Sequence, residues 1–212
     1  MRSLPILAAC AVFVAGCAPI FSDLQDAHVV ESGSGEFTPF VTTTKVQDDD
    51  GYERVVDQIG FQVAEGMGND VELRFRIEHF MDLESFDSGE VTAFGVGVKK
   101  GFIPGRLAVH LPVGLAVGSG LDVSRTFQTQ PTVLVTAPVA PWVDFNPSVK
   151  ALIPLGDGEQ QTQAAINLGL GIHNGDRSVT VRPEVGWLFE NAPDAGFMHF
   201  SLGVTFRRPV AE

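Results

Sequence analysis

Cysteine and basic residues are scarce in this chain. It contains two cysteines, and 14 Lys and Arg stand against 26 Asp and Glu, which gives a net charge of −12. So few basic residues make nucleic acid an unsuitable partner, because its phosphates need Lys and Arg. The same charge opposes attraction to an anionic membrane surface.

Long apolar runs are also scarce. The apolar run at residues 4–14 follows Arg2 and is too short to span a membrane permanently, which is typical of a signal peptide. It ends in Val14-Ala15-Gly16-Cys17, which resembles the bacterial lipobox. The resemblance implies that residues 1–16 are removed and that Cys17 is lipidated as the new N-terminus. With Ala18 next, it also implies passage to the outer membrane. The alternative is a plain secretory signal cleaved after Ala18.

Heptads, internal repeats and basic runs are missing too. Instead, 23 Gly and 16 Phe accompany only four Met, which favours strands and turns over a helical bundle. Cys10 would leave with the signal, so the mature chain could form no internal disulfide. Residues 17–35 have no apolar periodicity and end in Ser-Gly-Ser-Gly, which predicts a flexible periplasmic linker. We predict one domain over residues 36–207 and a periplasmic tail over 208–212.

A strand signal is clearest at residues 71–80, where apolar and charged residues alternate. The two sets are Val71, Leu73, Phe75 and Ile77, and Glu72, Arg74, Arg76 and Glu78. A period of two places the apolar set on one face of a strand and the charged set on the other. In a soluble sandwich the charges would face solvent, whereas in a membrane barrel they would face the lumen.

Ten alternating segments follow one another from residue 36 onward. They are residues 36–46, 55–64, 71–80, 91–101, 106–117, 132–145, 148–155, 163–173, 179–190 and 197–207. Most have the roughly 9–11 residues that a tilted strand needs to cross a bilayer. Several have a second face of Gly, Ala and Pro with few charges, which suits a narrow lumen and not a soluble exterior. Tight turns, at 65–70, 102–105, 146–147 and 174–177, alternate with longer connections.

This pattern resembles that of small bacterial outer-membrane β-barrel proteins. The last segment, with Met198, Phe200, Leu202, Val204 and Phe206 on one face, looks like the assembly signal that ends such barrels. The resemblance implies an all-β fold, an antiparallel up-and-down transmembrane β-barrel of about ten strands (8–10). It also implies a place in the bacterial outer membrane, both termini in the periplasm, and membrane lipid as a partner.

The longer connections are rich in Asp and Glu, and we expect them outside the cell. Acidic loops can bind divalent cations loosely, or surface ligands, although Asp48-Asp49-Asp50-Gly51 lacks the twelve-residue spacing of a calcium loop. No cofactor is indicated. His110, His173 and His199 occupy alternate strand positions that are predicted to face the lumen (here called lumen parity), but their spacing does not predict a metal site. The oligomeric state is not indicated.

Charged residues with lumen parity form the first candidate site. They are Glu72, Arg74, Arg76, Glu78, Arg106, His110, Asp144, Lys150, Arg182 and Glu184. Nearly balanced charges in a confined space must pair, because an unpaired buried ion costs several kcal/mol. We expect either an ion-paired filling that holds the barrel rigid or a narrow, charge-lined conduit for small solutes. Ten strands are too few for a wide aqueous pore.

His199-Phe200-Ser201 forms the second candidate site. His199 and Ser201 point the same way on a strand, as a base and a nucleophile must. The pair looks like the His-x-Ser pair of small-barrel lipid A deacylases, and Glu184 is the candidate acid that would orient the histidine. However, Leu202 stands where that family has Asn, and the parity places the pair inside the barrel, away from acyl chains. We therefore expect no enzymatic activity.

The sequence thus predicts a non-enzymatic outer-membrane barrel with a structural role, surface interactions or limited solute passage. One alternative is a lipid-modifying enzyme on the same barrel. The other is a lipid-anchored soluble carrier, similar to lipocalins, in which the apolar rows would point inward around a ligand.

Overall fold

A computed structural model of the chain describes residues 22–48, 51–81, 91–118, 121–156, 161–189 and 196–208, without the side chains of 46–55. The predicted signal peptide and Cys17 lie outside these ranges, as do residues 209–212 of the predicted tail. Among the described residues, no helix is long and apolar enough to cross a membrane.

Antiparallel strands make up most of the described chain. They are β1 (Gly35–Asp48), β2 (Gly51–Gly68), β3 (Val71–Met81), β4 (Val91–Ile103), β5 (Leu107–Gly118), β6 (Gln128–Thr129), β7 (Thr132–Val135), β8 (Ala137–Ala140), β9 (Val143–Pro154), β10 (Gln163–His173), β11 (Val179–Phe189) and β12 (Gly196–Arg208). A single 3₁₀ turn, Val123–Arg125, precedes β6. The last strand includes Arg208, which the prediction had assigned to the tail.

The strands close into an up-and-down barrel with ten wall positions. Apart from the short strands β6, β7 and β8, each strand pairs with its neighbours in sequence, and β12 pairs with β1 from Gly35↔Arg208 to Val46↔Phe197. The short strands β6 and β7 pair with both β5 and β9, β8 pairs with β9, and the three together form the sixth wall position. The predicted fold class is confirmed: all-β, antiparallel, closed and ten-stranded.

The sixth and seventh strands differ from the prediction in where they turn. The predicted turn at 146–147 lies within β9, where Asn146 pairs with Gly169 and Pro147 with Leu168 of β10. The chain turns between β8 and β9 instead, at Pro141 and Trp142. Asn-Pro has the composition of a turn, but here the buried Asn146 side chain accepts a lumen hydrogen bond and Pro147 occupies a strand position.

Alternation decides which face meets the lumen. On β3 every second residue from Glu72 to Phe80 is buried, whereas Leu73 and Phe75 are exposed on the outside. The apolar rows of β5 and β10 also face outward; Leu111, for example, is 56% exposed. This orientation is opposite to the one that a carrier with an apolar interior requires. The charges of residues 71–80 therefore line the lumen, as expected for a membrane barrel.

An apolar cluster fills the lumen at the end away from the short turns. Its members are Val56, Phe80, Val91, Ala93 and Ala116, with Leu121 packed against them. The middle of the lumen and its other end are mostly polar, with one small apolar cluster of Ala27, Ala108 and Leu134. The barrel therefore has an apolar floor on one side of a polar chamber, and that chamber holds the candidate site.

Candidate functional site in the barrel lumen

The polar chamber is occupied by the chain itself. Residues 22–34, here called the plug segment, run through the lumen before β1 begins, and residues 22–27 are all buried. The sequence had predicted a flexible periplasmic linker over 17–35, and the described part of that range is instead packed inside the barrel. The prediction failed because the plug segment is held by polar contacts, which leave no apolar periodicity to detect.

Asp23 binds the wall through three side chains. Lys150 Nζ lies 2.6 Å from Asp23 Oδ1, and Asn167 Nδ2 donates a 2.6 Å hydrogen bond to Asp23 Oδ2. Ser148 Oγ donates to the same oxygen. The two carboxylate oxygens of Asp23 thus have an ammonium, an amide and a hydroxyl donor, which compensates for the loss of water on burial.

Asp26 binds on another part of the wall. Arg182 Nη2 donates a 2.9 Å hydrogen bond to Asp26 Oδ2, while Arg182 Nε donates to Thr205 Oγ1 at 2.7 Å. Next to Asp26, the Ala27 amide donates to Thr136 Oγ1 at 2.8 Å. The two buried acidic residues of the plug segment therefore contact different strands: Asp23 contacts β9 and β10, and Asp26 contacts β11.

Wall side chains also satisfy the backbone of the plug segment. The amides of Asp23 and Leu24 donate to the two carboxylate oxygens of Glu184, at 2.7 and 2.9 Å, and the Val30 amide donates to Glu72 at 2.8 Å. Carbonyls are bound as well. Arg76 donates to Ser22 O at 2.7 Å, and Lys99 donates to His28 O at 2.7 Å. Backbone groups buried without partners are costly, so these contacts allow an irregular segment to lie inside the barrel.

Three glycines provide space where the plug segment leaves the lumen. A Cβ added at Gly66 would lie 2.0 Å from Glu31 O, and one at Gly105 would lie 2.7 Å from the His28 ring. At Gly101 the added Cβ would meet the Val29 side chain at 3.1 Å. The plug segment therefore exits against the ends of β2 and β4 and the turn after β4.

Ion pairs connect the remaining wall charges. Arg74 binds Glu72 at 2.6 Å and Glu36 at 3.2 Å, and Lys99 Nζ lies 3.0 Å from Glu72 Oε1. At the rim, Arg207 binds Glu36 at 2.5 Å. Further pairs join Arg76 to Glu78 (3.1 Å) and Arg177 to Asp144 (2.5 Å). Arg74, Glu72, Lys99, Glu36 and Arg207 thus form one connected group, and the other two pairs are separate from it.

Most of the predicted lumen residues are buried in the chamber, and one is not. Glu72, Arg74, Arg76, Glu78, His110, Asp144, Lys150, Arg182 and Glu184 are buried. Arg106 is exposed, because it belongs to the turn before β5 and not to the strand. The sequence reasoning did not include Lys99 among the lumen residues, although Lys99 shares the inward face of β4 with Ala93. It also missed Glu36, Asp23 and Asp26.

The predicted His199–Ser201–Glu184 group lies inside the barrel, where His199 contacts Glu184 and Ser201 contacts a different residue. His199 Nε2 lies 3.3 Å from Glu184 Oε1, as an orienting acid would. The Ser201 hydroxyl is hydrogen-bonded to Thr42 Oγ1 at 2.8 Å. Both oxygens of Glu184 also accept amides of the plug segment.

The lumen histidines lie among different partners. His110 Nδ1 is 3.2 Å from Gln25 Nε2, and His173 Nε2 is 3.4 Å from Asp144 Oδ2. Within the described ranges, no three His, Cys, Asp or Glu residues are grouped as metal ligands.

Comparisons with known proteins give similarity of fold only. No protein-family model matches the chain, and no curated protein matches it. Among solved structures, it is similar to the translocator domain of the autotransporter NalP from Neisseria meningitidis (TM-score 0.48, 8% identity, covering 82% of this chain and 88% of that one). It is also similar to Ail, the attachment invasion locus protein of Yersinia pestis (TM-score 0.37, 12% identity, covering 84% of this chain and 99% of that one). A third similar structure is the N-terminal β-barrel domain of Pseudomonas aeruginosa OprF (TM-score 0.36, 16% identity, covering 84% of this chain and 98% of that one). At these TM-scores the similarities do not bear on function.

Proposed function

We propose that this protein is an integral β-barrel of the bacterial outer membrane, with a structural or surface-interaction role and a lumen closed by its own plug segment. The exterior supports the membrane location. Large apolar side chains are exposed on wall strands all around the barrel, far beyond the apolar patches that soluble monomers carry. Outward-facing charges of the described strands, such as Lys45, Glu65 and Lys100, lie towards strand ends. Membrane lipid is then the partner of this surface.

The observation that carries the closed state is the filled lumen. The apolar cluster occupies one end of the lumen, and the plug segment occupies the adjoining polar chamber. A cavity beside Ser22, Arg76 and His110 is about 40 Å³, which is room for water and not for a solute. We infer a non-enzymatic role, since Glu184 and Ser201 are engaged in contacts that hold the plug segment and the wall.

A surface-interaction role would belong to the acidic outer loops. Much of their sequence, including Asp49, Asp50 and residues 82–90, 157–160 and 190–195, lies outside the described residues. We propose divalent cations and surface ligands as their partners on charge alone.

Lipidation at Cys17 is part of the proposal and has a geometric consequence. Cys17 precedes Ser22 by five residues, and an extended chain spans at most roughly 3.6 Å per residue. The acylated residue would therefore lie within roughly 18 Å of the buried Ser22. Acyl chains belong in the bilayer, so lipidation and full insertion of the plug segment constrain one another. Metabolic labelling with a radioactive fatty acid, compared between the natural protein and Cys17→Ala, tests the lipid directly.

Limited solute passage is the second candidate function, favoured by the polar lining of the chamber. It requires that the plug segment leave the lumen.

Membrane washing and bilayer recording test the proposed function. We expect the protein to stay with outer membranes through carbonate and urea washing and to migrate differently on gels with and without boiling. Purified protein should give no steady conductance in planar bilayers. Release of a Cys17→Ala form into the soluble periplasm would contradict the membrane barrel, and a stable open conductance would contradict the closed lumen.

A further inference from the structure

We propose that the lumen wall contains a carboxylate-binding site, built on Lys150 and Arg182, which Asp23 and Asp26 of the plug segment occupy in cis. The ligands of the empty site would be anions with two carboxylates at a similar spacing, either acidic peptides or small dicarboxylates. This inference rests on the proposed function, because it takes the closed barrel as the resting state.

The first half of the site is a complete carboxylate cradle. Lys150 Nζ, Asn167 Nδ2 and Ser148 Oγ converge on the two oxygens of one carboxylate, and all three wall residues are buried. Lys150 and Ser148 come from β9, and Asn167 comes from β10, so the barrel's own strand pairing fixes their relative positions. The cradle therefore belongs to the wall and does not depend on the plug segment to form.

The second half of the site, at Arg182, has a hydrogen-bond donor that the plug segment does not use. Arg182 uses Nη2 for Asp26 and Nε for Thr205, and its Nη1 has no hydrogen-bond partner among the described residues. A guanidinium can bind both oxygens of a carboxylate through two nitrogens. Asp26 satisfies only part of that capacity, so a freely positioned carboxylate could engage Arg182 more completely.

The charges of the chamber balance only when the plug segment is present. Seven Lys and Arg residues of the described wall form ion pairs with buried carboxylates: Arg74, Arg76, Lys99, Lys150, Arg177, Arg182 and Arg207. The carboxylates are Asp23, Asp26, Glu36, Glu72, Glu78, Asp144 and Glu184. Two of the seven carboxylates belong to the plug segment, so its withdrawal leaves a wall with a net charge of +2. Such a lumen attracts anions.

The plug segment can leave without breaking the barrel. In the chamber, its hydrogen bonds with the wall join two side chains, or a side chain and the backbone, and Ala27 packs against Ala108 and Leu134. Its described backbone pairing with the wall is confined to the exit, where Ser34 O accepts from the Gly66 amide and Ser32 bridges Gly66. The closed ring of strand pairs does not include it.

The test uses charge reversal to empty the site. The variant Asp23→Lys/Asp26→Lys keeps the whole chain but places cations against Lys150 and Arg182, which should expel the plug segment. The matched control is Asp122→Lys/Asp176→Lys, since both of these aspartates are exposed. Deletion of residues 22–30 serves as a second way to empty the site if the charge-reversed chain does not fold. Differential gel mobility with and without boiling identifies folded samples.

Binding in trans is the deciding measurement. A fluorescent peptide with the sequence of residues 22–30 should bind the emptied barrel, as measured by anisotropy, and not the natural protein or the control variant. A peptide with Asn at both Asp positions should bind roughly tenfold more weakly or worse, because it lacks the charges that pair with buried cations. Displacement by glutarate would identify small dicarboxylates as ligands, and displacement by unlabelled peptide alone would restrict them to acidic peptides.

Ion selectivity gives an independent readout. In planar bilayers with a salt gradient, any current through the emptied barrel should reverse at a potential of the sign expected for anion preference, and the acidic peptide should block it. Equal binding of the acidic and Asn peptides, or a cation-selective current, overturns the carboxylate site. Either result leaves the closed membrane barrel of the natural protein standing, whereas a soluble or constitutively open natural protein overturns the proposed function itself.

Discussion

Lys150 illustrates how a charge is tolerated inside this barrel. Its ammonium group is buried and meets Asp23 at 2.6 Å. A buried ion pair contributes little net stability compared with an apolar pair of the same shape. Losing one partner, however, leaves the other as an unpaired charge that is not solvated by water. The contact therefore acts mainly by specifying where Asp23 lies.

Replacing Lys150 with Met should destabilise the barrel. Met has a similar length, so the main effect is the unpaired Asp23 carboxylate, which we expect to lower the free energy of unfolding by about 3–5 kcal/mol. Urea unfolding of the detergent-solubilised protein, followed by tryptophan fluorescence, measures the change.

Two controls separate the pair from general damage. Asp23→Asn/Lys150→Met should be more stable than Lys150→Met alone, because it removes the stranded charge. Arg125→Met removes one side of an exposed pair with Asp122 and should leave the unfolding midpoint unchanged. A double variant less stable than Lys150→Met would show that Asp23 is not the affected partner.

At the residue scale, the sequence predicted what alternation can reveal. Parity along β3, β9 and β11 placed Arg74, Lys150 and Arg182 in the lumen, because a strand's side chains must alternate. Parity could not reveal which partners they have. Asp23 and Asp26 pair across more than 120 positions of sequence, and they lie in a segment with no regular period.

The plug segment is the element that fills the lumen, and its backbone lies directly against the wall at Gly66. A Cβ there would lie 2.0 Å from Glu31 O and 2.4 Å from Val30 O. Both atoms belong to the backbone, so no side chain can move aside to make room. Any larger residue at this position must shift the plug segment.

Gly66→Ala should loosen the plug segment while the barrel stays closed. We expect faster amide hydrogen exchange over residues 23–30, measured by mass spectrometry, with unchanged protection in β3 and β10. Gly95→Ala is the matched control, because the atom nearest to an added Cβ at Gly95 is 3.9 Å away. Equal exchange in the two variants would mean that Gly66 does not set the path of the plug segment.

The sixth wall position shows the limit of local turn signals. Both Pro141-Trp142 and Asn146-Pro147 have turn-forming proline, and composition alone favoured the second. The pairing of β9 with β10 decides in favour of the first, since it continues without a shift from Val143 to Leu152. Such pairing over long sequence separations is invisible to a reading of neighbouring residues.

Insertions should distinguish the two positions. Two glycines inserted between Pro141 and Trp142 extend a turn, which barrels tolerate, so the folded form should still migrate differently before boiling. The same insertion between Asn146 and Pro147 interrupts β9 and disrupts its pairing on both sides, so the folded form should be lost. The reverse result would restore the turn predicted from composition.

At the scale of the whole molecule, the number of strands and the direction of their faces were predictable because a closed barrel with an apolar exterior repeats one simple pattern. Apolar residues face outward around the ring, and most inward positions hold small or polar residues, except at the end closed by the apolar cluster. The contents of the lumen were not predictable, because they depend on which segment finds a partner inside a cavity that exists only after closure.

The proposed insertion of the barrel in a bilayer can be tested with its two tryptophans. Trp142 is 57% exposed in the turn before β9, and Trp187 faces outward near the opposite end of the wall, between Ile166 and Met198. Aromatic rings at such ends belong at the interfaces between lipid and water. Each tryptophan should therefore sense the outer part of the acyl layer.

Quenching by brominated lipids measures this depth. In single-tryptophan variants, made with Trp142→Phe or Trp187→Phe, bromines near the headgroups should quench both residues more than bromines at the bilayer centre. Exposed tryptophans on a soluble barrel would not be quenched at either depth. Stronger quenching from the centre would mean that the wall sits displaced along the membrane normal, so that one set of strand ends is buried in lipid. The two residues together thus test both the membrane location and the register of the barrel within it.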